Sequence, residues 1–373
     1  VSQALAHLAD FHFRFLRILS MPTTFLRVSA LVASLVFTHS SQTSAEDKLT
    51  AAPEGSFSFV VIPDTQAYRG EGTKAEPESK AEVTNRIFET HVQWIARNLE
   101  AHHIQFVSHV GDIVDIDRDA EWRVARACMD QIHGKVPYGI SVGNHDMTSA
   151  GDSSLFQKYF PKSRFESFDW YGGAYAGSPS DPRHSGNNAN SYQLFNAGGL
   201  DFVFLHLECN APDDVLEWAN SLLETHKNRR AFITCHMGWG PRAKPKAVEE
   251  FITAPKGRME WSKIHGKRGN TPQQLWEKCY RKHSNLVAVF SGDQSRTQAI
   301  RAATAGEHGN IIHEIMQDYG SGWLRLYRFV PGENRIDAFT FDPTSEVLCE
   351  GTKLVPARTE HQFSMPYQMT GAK

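Results

Sequence analysis

The sequence predicts an α/β protein in which two mixed β-sheets pack face to face, with helices on the outside. Three observations predict it. Between residues 57 and 142, strand-length apolar runs alternate with stretches of helical spacing, the β-α-β-α-β order of a parallel sheet with covering helices. The second half adds a hairpin and three late strand-like runs, so the pairing must be mixed. Finally, several apolar runs each stop at a short polar tip. Asp64-Thr65-Gln66 follows FSFVVIP, Gly111-Asp112-Ile113-Val114-Asp115 follows IQFVSHV, Gly143-Asn144-His145-Asp146 follows VPYGISV, and Cys235-His236 follows RRAFIT. Strands laid side by side bring such tips to one sheet edge, where open α/β sheets bind ligands.

Taken in order, strand 57–63 leads through a polar loop (66–81) to a helix over 83–100, where Val83, Ile87, Trp94, Ile95 and Leu99 fall at three-to-four spacing. Strand 104–110, a helix near 120–132 and strand 136–142 follow. Residues 147–190 are loop-rich, with Trp170-Tyr171-Gly172-Gly173 and a turn-rich run. Ser191–Asn196 and Leu200–Leu207 read as a hairpin turning at Gly198-Gly199. A helix near 213–226 and strand 230–235 precede a long insertion, which holds eight Lys or Arg against three Glu between Arg242 and Arg268. Helix 272–283, strand 286–291 and late strands near 310–317, 322–330 and 335–341 complete the pattern, and the last thirty or so residues carry none. The expected organisation is an N-terminal extension (1–48), one domain (49–345) and a C-terminal tail (346–373).

With 40% hydrophobic and 22% charged residues in 373, the chain has the composition of a globular protein. Its net charge of −3 gives no general attraction to nucleic acid. The basic insertion either gathers an anionic substrate or is a solvated loop. The five cysteines are scattered without a C-x-x-C pair, which argues against a zinc knuckle or a disulfide framework. Cys128, Cys209 and Cys235 are expected as buried thiols. Residues 21–45 have a basic flank ending at Arg27, an apolar run Val28–Phe37 and a Thr43-Ser44-Ala45 exit, which fits a secretory signal and predicts export. The apolar run is too short to span a bilayer. The alternative is an amphipathic helix packed on the domain.

The tip residues form a chemical set. Asp, Gln, Asn and His donors suit hard or borderline divalent cations, and a shared carboxylate can bridge two of them. Asp112, following Gly111 at a sharp strand-end turn, is the candidate bridge. Taken singly each residue is ordinary: an Asp after a strand can be an N-cap, and a lone His can be a packing residue.

Taken in order, the blocks resemble those of the calcineurin-like metallophosphoesterase superfamily, D-x-H, G-D-x-x-D, G-N-H-D/E, a lone His and G-H-x-H, from about Phe57 to about Asp342. The resemblance implies a four-layer sandwich and hydrolysis of a phosphomonoester or phosphodiester, in a small molecule or a macromolecule. It implies one or two divalent ions (Mn, Fe or Zn). Asp64 and Gln66 would face one ion and Asn144, His236 and Asp293 the other, with Asp112 between. His145 would be general acid or charge stabiliser, and Asp115 would hold its other ring nitrogen. Asp146 would fix the loop. Two departures stand out. Gln66 replaces the His of the first block, and Asp293 and Ser295 replace both His of the last, in Phe290-Ser-Gly-Asp-Gln-Ser-Arg296. Arg296, His308 and His313 lie nearby in sequence, and Trp170, Tyr171 and Trp239 are candidate cleft walls or packing anchors. The alternative reading is a weak or inactive relative that binds a phosphorylated or anionic ligand; a nuclease is a third.

Overall fold

The computed structural model describes residues 47–148, 151–178, 184–239, 264–265, 268–293 and 298–370. The segment expected as a secretory signal (21–45), most of the basic insertion, Ser295 and Arg296 lie outside these residues.

The strands are β1 (Phe57–Ile62), β2 (Ile104–His109), β3 (Tyr138–Ile140), β4 (Tyr171–Ala174), β5 (Ser191–Ala197), β6 (Leu200–Leu207), β7 (Arg230–Cys235), β8 (Leu286–Ser291), β9 (Ala299–Ala305), β10 (Ile311–Gln317), β11 (Leu324–Val330), β12 (Arg335–Phe341) and β13 (Gln362–Pro366). The helices are α1 (Arg86–Asn98), α2 (Asp119–Asp130), α3 (Ser154–Tyr159), α4 (Asp213–Thr225) and α5 (Pro272–Lys278). One sheet has the order β13-β12-β11-β1-β2-β3 and the other β4-β5-β6-β7-β8-β10-β9.

Alternation along β1 explains the layering. Phe57, Phe59 and Val61 point between the sheets, into a core shared with Phe106, Phe202, Phe204, Phe232, Phe290 and Phe329. Val60 and Ile62 point outward and pack under α1 and α2. The outer face of the second sheet is covered by α4 and α5 through Val203, Leu205, Val215, Leu216, Ile233 and Leu275. The result is four layers, α/β/β/α, with both faces of each central strand buried, as parallel strands require. The hairpin turns at Gly198 and Gly199, with φ of 57° and 75°, the positive values a tight two-residue hairpin needs.

Three strands escaped the sequence reading: β4, a four-residue edge strand inside the stretch expected as loop, β9 and β13. β9 (AIRAATA) is an edge strand with alternating exposure and weak β-formers. β13 pairs with β12, Ile336 opposite Met365, so the expected tail contributes an edge strand. Its short QFSMP run buries only Met365 and is too brief to show periodicity. All five cysteines are free and buried. Among the described residues no helix is long and apolar enough to cross a membrane.

Candidate metal centre

The site lies where the parallel strands of both sheets end. β1, β2 and β3 are parallel neighbours in one sheet, and β7, β8 and β10 in the other. Their following residues meet across the gap between the sheets, and glycine allows the approach. A Cβ on Gly111 would sit 3.0 Å from the His236 ring, one on Gly143 2.1 Å from Asp112 Oδ1, and one on Gly292 2.0 Å from Asp64 Oδ1. Gly111 and Asp112 both take positive φ, 104° and 50°, the sharp turn expected at this strand end.

Asp64, Asp112 and His236 are buried and offer ligand atoms that all lie within 4.8 Å of one another. His236 donates Nδ1–H to the carbonyl of Val110 at 3.0 Å. That bond fixes the tautomer and leaves the Nε2 lone pair facing the carboxylates, as metal-ligating histidines do. Nε2 is 3.2 Å from Asp112 Oδ2, 3.9 Å from Asp293 Oδ1 and 4.0 Å from Asp64 Oδ2. Asp112 is also held by the His145 backbone N–H at 2.9 Å and by Gln66 Nε2 at 2.8 Å. Asp293 has a φ of 65° and its N–H donates to Asp64 Oδ2 at 3.2 Å.

Four buried atoms here have no hydrogen-bond partner among the described residues: Asp64 Oδ1, Asn144 Oδ1, His236 Nε2 and Asp318 Oδ1. Buried polar groups left this way carry a desolvation cost of about 1–3 kcal/mol each unless something satisfies them. Oxygen donors with one oriented imidazole, and carboxylates in excess of cationic groups, fit a divalent cation. Burial and then the neighbouring Asp318 push the Asp64 carboxyl well above the usual range. Burial acts to raise Asp112 as well, but His236 and His145 outweigh it and keep that carboxylate below its ordinary value. Burial would lower His236; Asp112 and Asp64 overcome it and drive the imidazole well above its usual value.

His145 stands beside the trio, partly exposed. Its Nδ1 donates to the main-chain carbonyl of Asp115 at 2.8 Å, with the Asp115 carboxylate 3.5 Å away. Asp115 therefore orients the ring mainly through its backbone. Lys74 Nζ donates to Asp115 Oδ1 at 2.6 Å and lies 3.2 Å from His145 Nδ1. Burial disfavours the imidazolium, but the Asp115 carboxylate and then the Asp112 charge prevail and raise His145 to about 9. Asp146 accepts from the N–H groups of Gly143, Ile113 and Val114 at 2.8, 2.8 and 3.1 Å. It clamps the two motif loops together.

Sequence reasoning missed Lys74, which comes from the polar loop after β1, and two buried carboxyls. Asp318 follows β10 and Glu208 follows β6; burial raises each to about 7. Both fit the signal that found the others, an apolar run ending in an acid. His308 and His313 sit toward the opposite end of β10, where the His308 ring bonds the Lys282 carbonyl at 3.0 Å. Trp239 is buried against Ile300 and Met316, and Trp170 stacks on Phe168 with ring centroids 5.0 Å apart. Both are packing anchors.

Two mixed sheets with flanking helices, and the tips of β1, β2, β3, β7 and β8 meeting at one edge, make the four-layer sandwich that the resemblance to the calcineurin-like metallophosphoesterases implies. No protein-family profile matches the chain. An uncharacterized protein of Bacillus subtilis (strain 168), YvnB, is 26% identical over 331 residues; the alignment covers 85% of this chain and 22% of that protein's length. Solved structures similar to the chain include purple acid phosphatase PPD1 from yellow lupin (Lupinus luteus) seeds, with 12% identity over 85% of this chain and 55% of that one, TM-score 0.48. The 5'-nucleotidase precursor from Thermus thermophilus aligns at 11% identity over 84% and 54%, TM-score 0.43. GAP50, the anchor in the inner membrane complex of Plasmodium, aligns at 11% over 85% and 90%, TM-score 0.43.

Proposed function

We propose that this chain is a metal-dependent hydrolase of phosphate esters. The observation that carries the reading is the set of buried, unpartnered donors on Asp64, Asn144 and His236, with the oriented imidazole of His145 alongside. Asp64, Asp112, Asn144, His236 and Asp293 would hold the cation or cations, with Gln66 bonded to the shared carboxylate. The chemistry a divalent pair supplies, when bound, is Lewis acidity toward phosphoryl oxygens.

The chain's own residues do the rest. With Nδ1 tied to the Asp115 carbonyl, the charged His145 ring has its Nε2–H free to protonate the leaving ester oxygen. Asp115 holds that ring in place and Lys74 holds the Asp115 carboxylate, and Lys74 adds positive charge where a phosphoryl group would enter. Asp146 keeps the Asp112 and His145 loops in register, so acid and carboxylate face one substrate. Gln66 and the His145 N–H orient the two oxygens of Asp112.

A second reading, a weak or inactive relative that binds a phosphorylated or anionic ligand, is favoured by one observation: Asp293 stands where the resemblance expects a ligating imidazole. Metal content of purified protein, paired with a panel of mono- and diesters, separates the two. Bound metal with turnover of an aryl phosphate supports the hydrolase; phosphate binding without turnover of any ester supports the alternative. Export is proposed on the pattern at 21–45 alone. N-terminal sequencing of exported material beginning near Glu46 supports it, and protein found only in the cytosol with residues 21–45 intact rules it out.

A further inference from the structure

We propose that Asp318 is a metal donor on the Asp64 side of the centre, supplying the ligand that the last block lacks at Ser295. The proposal rests on reading this edge as a metal centre.

Topology places the residue. β10 enters the second sheet next to β8 and parallel to it, with Met316 opposite Ser291. Two steps beyond that pair lie Asp318 on one strand and Asp293 on the other, so both acids arrive at the same edge. The backbone there is tightly held. The Asp318 N–H donates to the Gln298 carbonyl at 2.8 Å. Gln317 donates Nε2–H to the Val61 carbonyl at 2.8 Å and accepts from the Tyr327 hydroxyl at 2.6 Å. Val61 is three residues before Asp64, so the end of β10 is fastened to the strand that presents Asp64.

The side chain has no evident structural task. Asp318 is 2% exposed, and its Oδ1 has no hydrogen-bond partner among the described residues. Asp146 shows what a structural buried acid looks like at this edge, with both oxygens occupied by backbone N–H groups. Asp318 instead has His236, Asp293, Asp112 and Asp64 as its ionisable neighbours. A buried carboxyl facing other carboxylates must take up a proton, be paired or coordinate a cation, and a bound cation is what lets it stay ionised. The one cationic side chain among these neighbours, His236, already faces Asp112.

Asp318 lies outside the Asp64–Asp112–His236 trio, whose donor atoms all lie within 4.8 Å; the Gln317 bond to Val61 brings the end of β10 against the end of β1, which places Asp318 on the Asp64 side. An ion on that side would meet Asp64, the shared Asp112 and Asp318, three oxygen donors. The other would meet Asp112, Asn144, His236 and Asp293. Such a centre keeps two ions without either imidazole of the G-H-x-H pattern, and its Asp64 half is all oxygen, which suits Mn or Mg better than Zn.

The test is Mn(II) binding to the full chain, read by metal content after dialysis and by electron paramagnetic resonance. Wild type is expected to hold two ions with an exchange-coupled spectrum. Asp318→Asn is isosteric and Asp318→Ser is smaller; whichever melts cooperatively in EDTA should lose one ion, or bind it at least about tenfold more weakly. The remaining ion should give an uncoupled six-line signal. Two ions and a coupled spectrum in the folded variants would overturn the proposal. If Asp112→Asn loses metal while the Asp318 variants match wild type, Asp318 is no ligand but the centre stands. If wild type binds no Mn(II), Zn(II) or Fe(II), both fall together.

Discussion

His236 holds its Nε2 3.2 Å from Asp112 because its Nδ1–H is bonded to the carbonyl of Val110, two residues before Asp112 and on the other sheet. One hydrogen bond thus joins the two sheets, selects the tautomer and aims the imidazole. The same stretch that supplies the acid, Val110-Gly111-Asp112, orients the base that faces it. Preorganisation of this kind is what a ligand set needs if it is to bind without rearranging.

Asp112 accepts from Gln66 and from the His145 N–H and faces His236, which is why it is proposed as the shared carboxylate. Asp112→Asn keeps the shape and removes the charge. Metal affinity should fall by more than the roughly 10–100-fold typical of outer-shell changes, and ester hydrolysis should drop below detection. Titration with Mn(II) and an aryl phosphate assay check both; full metal and full rate would remove Asp112 from this role.

His145 is oriented by the Asp115 carbonyl and reaches Asp112 only through its backbone N–H. His145→Ala keeps that N–H. Metal content should therefore stay near wild type while the rate falls about 10²–10⁴-fold, the usual worth of a general acid. The loss should be largest for esters with poor leaving groups. Metal lost along with activity would make His145 a ligand.

Gly292 passes so close to Asp64 that an added Cβ would lie 2.0 Å from its Oδ1. Gly292 lies outside the positive-φ region, so the backbone itself tolerates alanine. Gly292→Ala should displace the Asp64 carboxylate at a cost of about 1–3 kcal/mol, lowering metal affinity by a corresponding ~5–150-fold. The melting temperature in EDTA should change far less than the metal-induced rise in melting temperature does. Unchanged affinity would show that Asp64 is not a donor.

His91 is fully buried on α1, with Nε2–H donating to the Gly322 carbonyl at 2.8 Å. Burial lowers it to about 4, against a weak opposing pull from that bond and Asp342. Because the folded value is depressed, the unfolded chain takes up the proton first as pH falls below 6.5. Stability contributed by His91 is therefore complete above that pH and lost progressively toward pH 4. By pH 5 the loss is about 2 kcal/mol. Asp146 and Glu208, raised to about 7, act in the opposite sense, so the overall pH curve is a sum of both signs. The difference between wild type and His91→Gln in urea midpoints at pH 7.5 and pH 5 isolates the histidine. Equal shifts in both proteins would contradict it.

The sequence by itself determined the layering and most of the donor set. Alternation in FSFVVI sends phenylalanines to one face and Val60 and Ile62 to the other, so β1 must be buried on both sides. Gly111-Asp112, set between the apolar run IQFVSHV and IVD, reads as a sharp turn at a strand end from its neighbours alone. Such features are local: they depend on residues within a few positions of one another. What lies across the gap between the sheets is not local. Asp318 ends a strand that is far from Asp64 in sequence, and it reaches the site only because β10 inserts beside β8 while β9 takes the edge. Lys74 reaches His145 only because the loop after β1 folds back, pinned by the Arg69–Thr84 bridge. Trp239, open in the sequence to either a cleft wall or a packing role, was assigned by its burial against β9 and β10. Side-chain chemistry is written in the chain, but which carboxylates share one imidazole is fixed by strand order, and strand order is set by packing energies summed over both sheets.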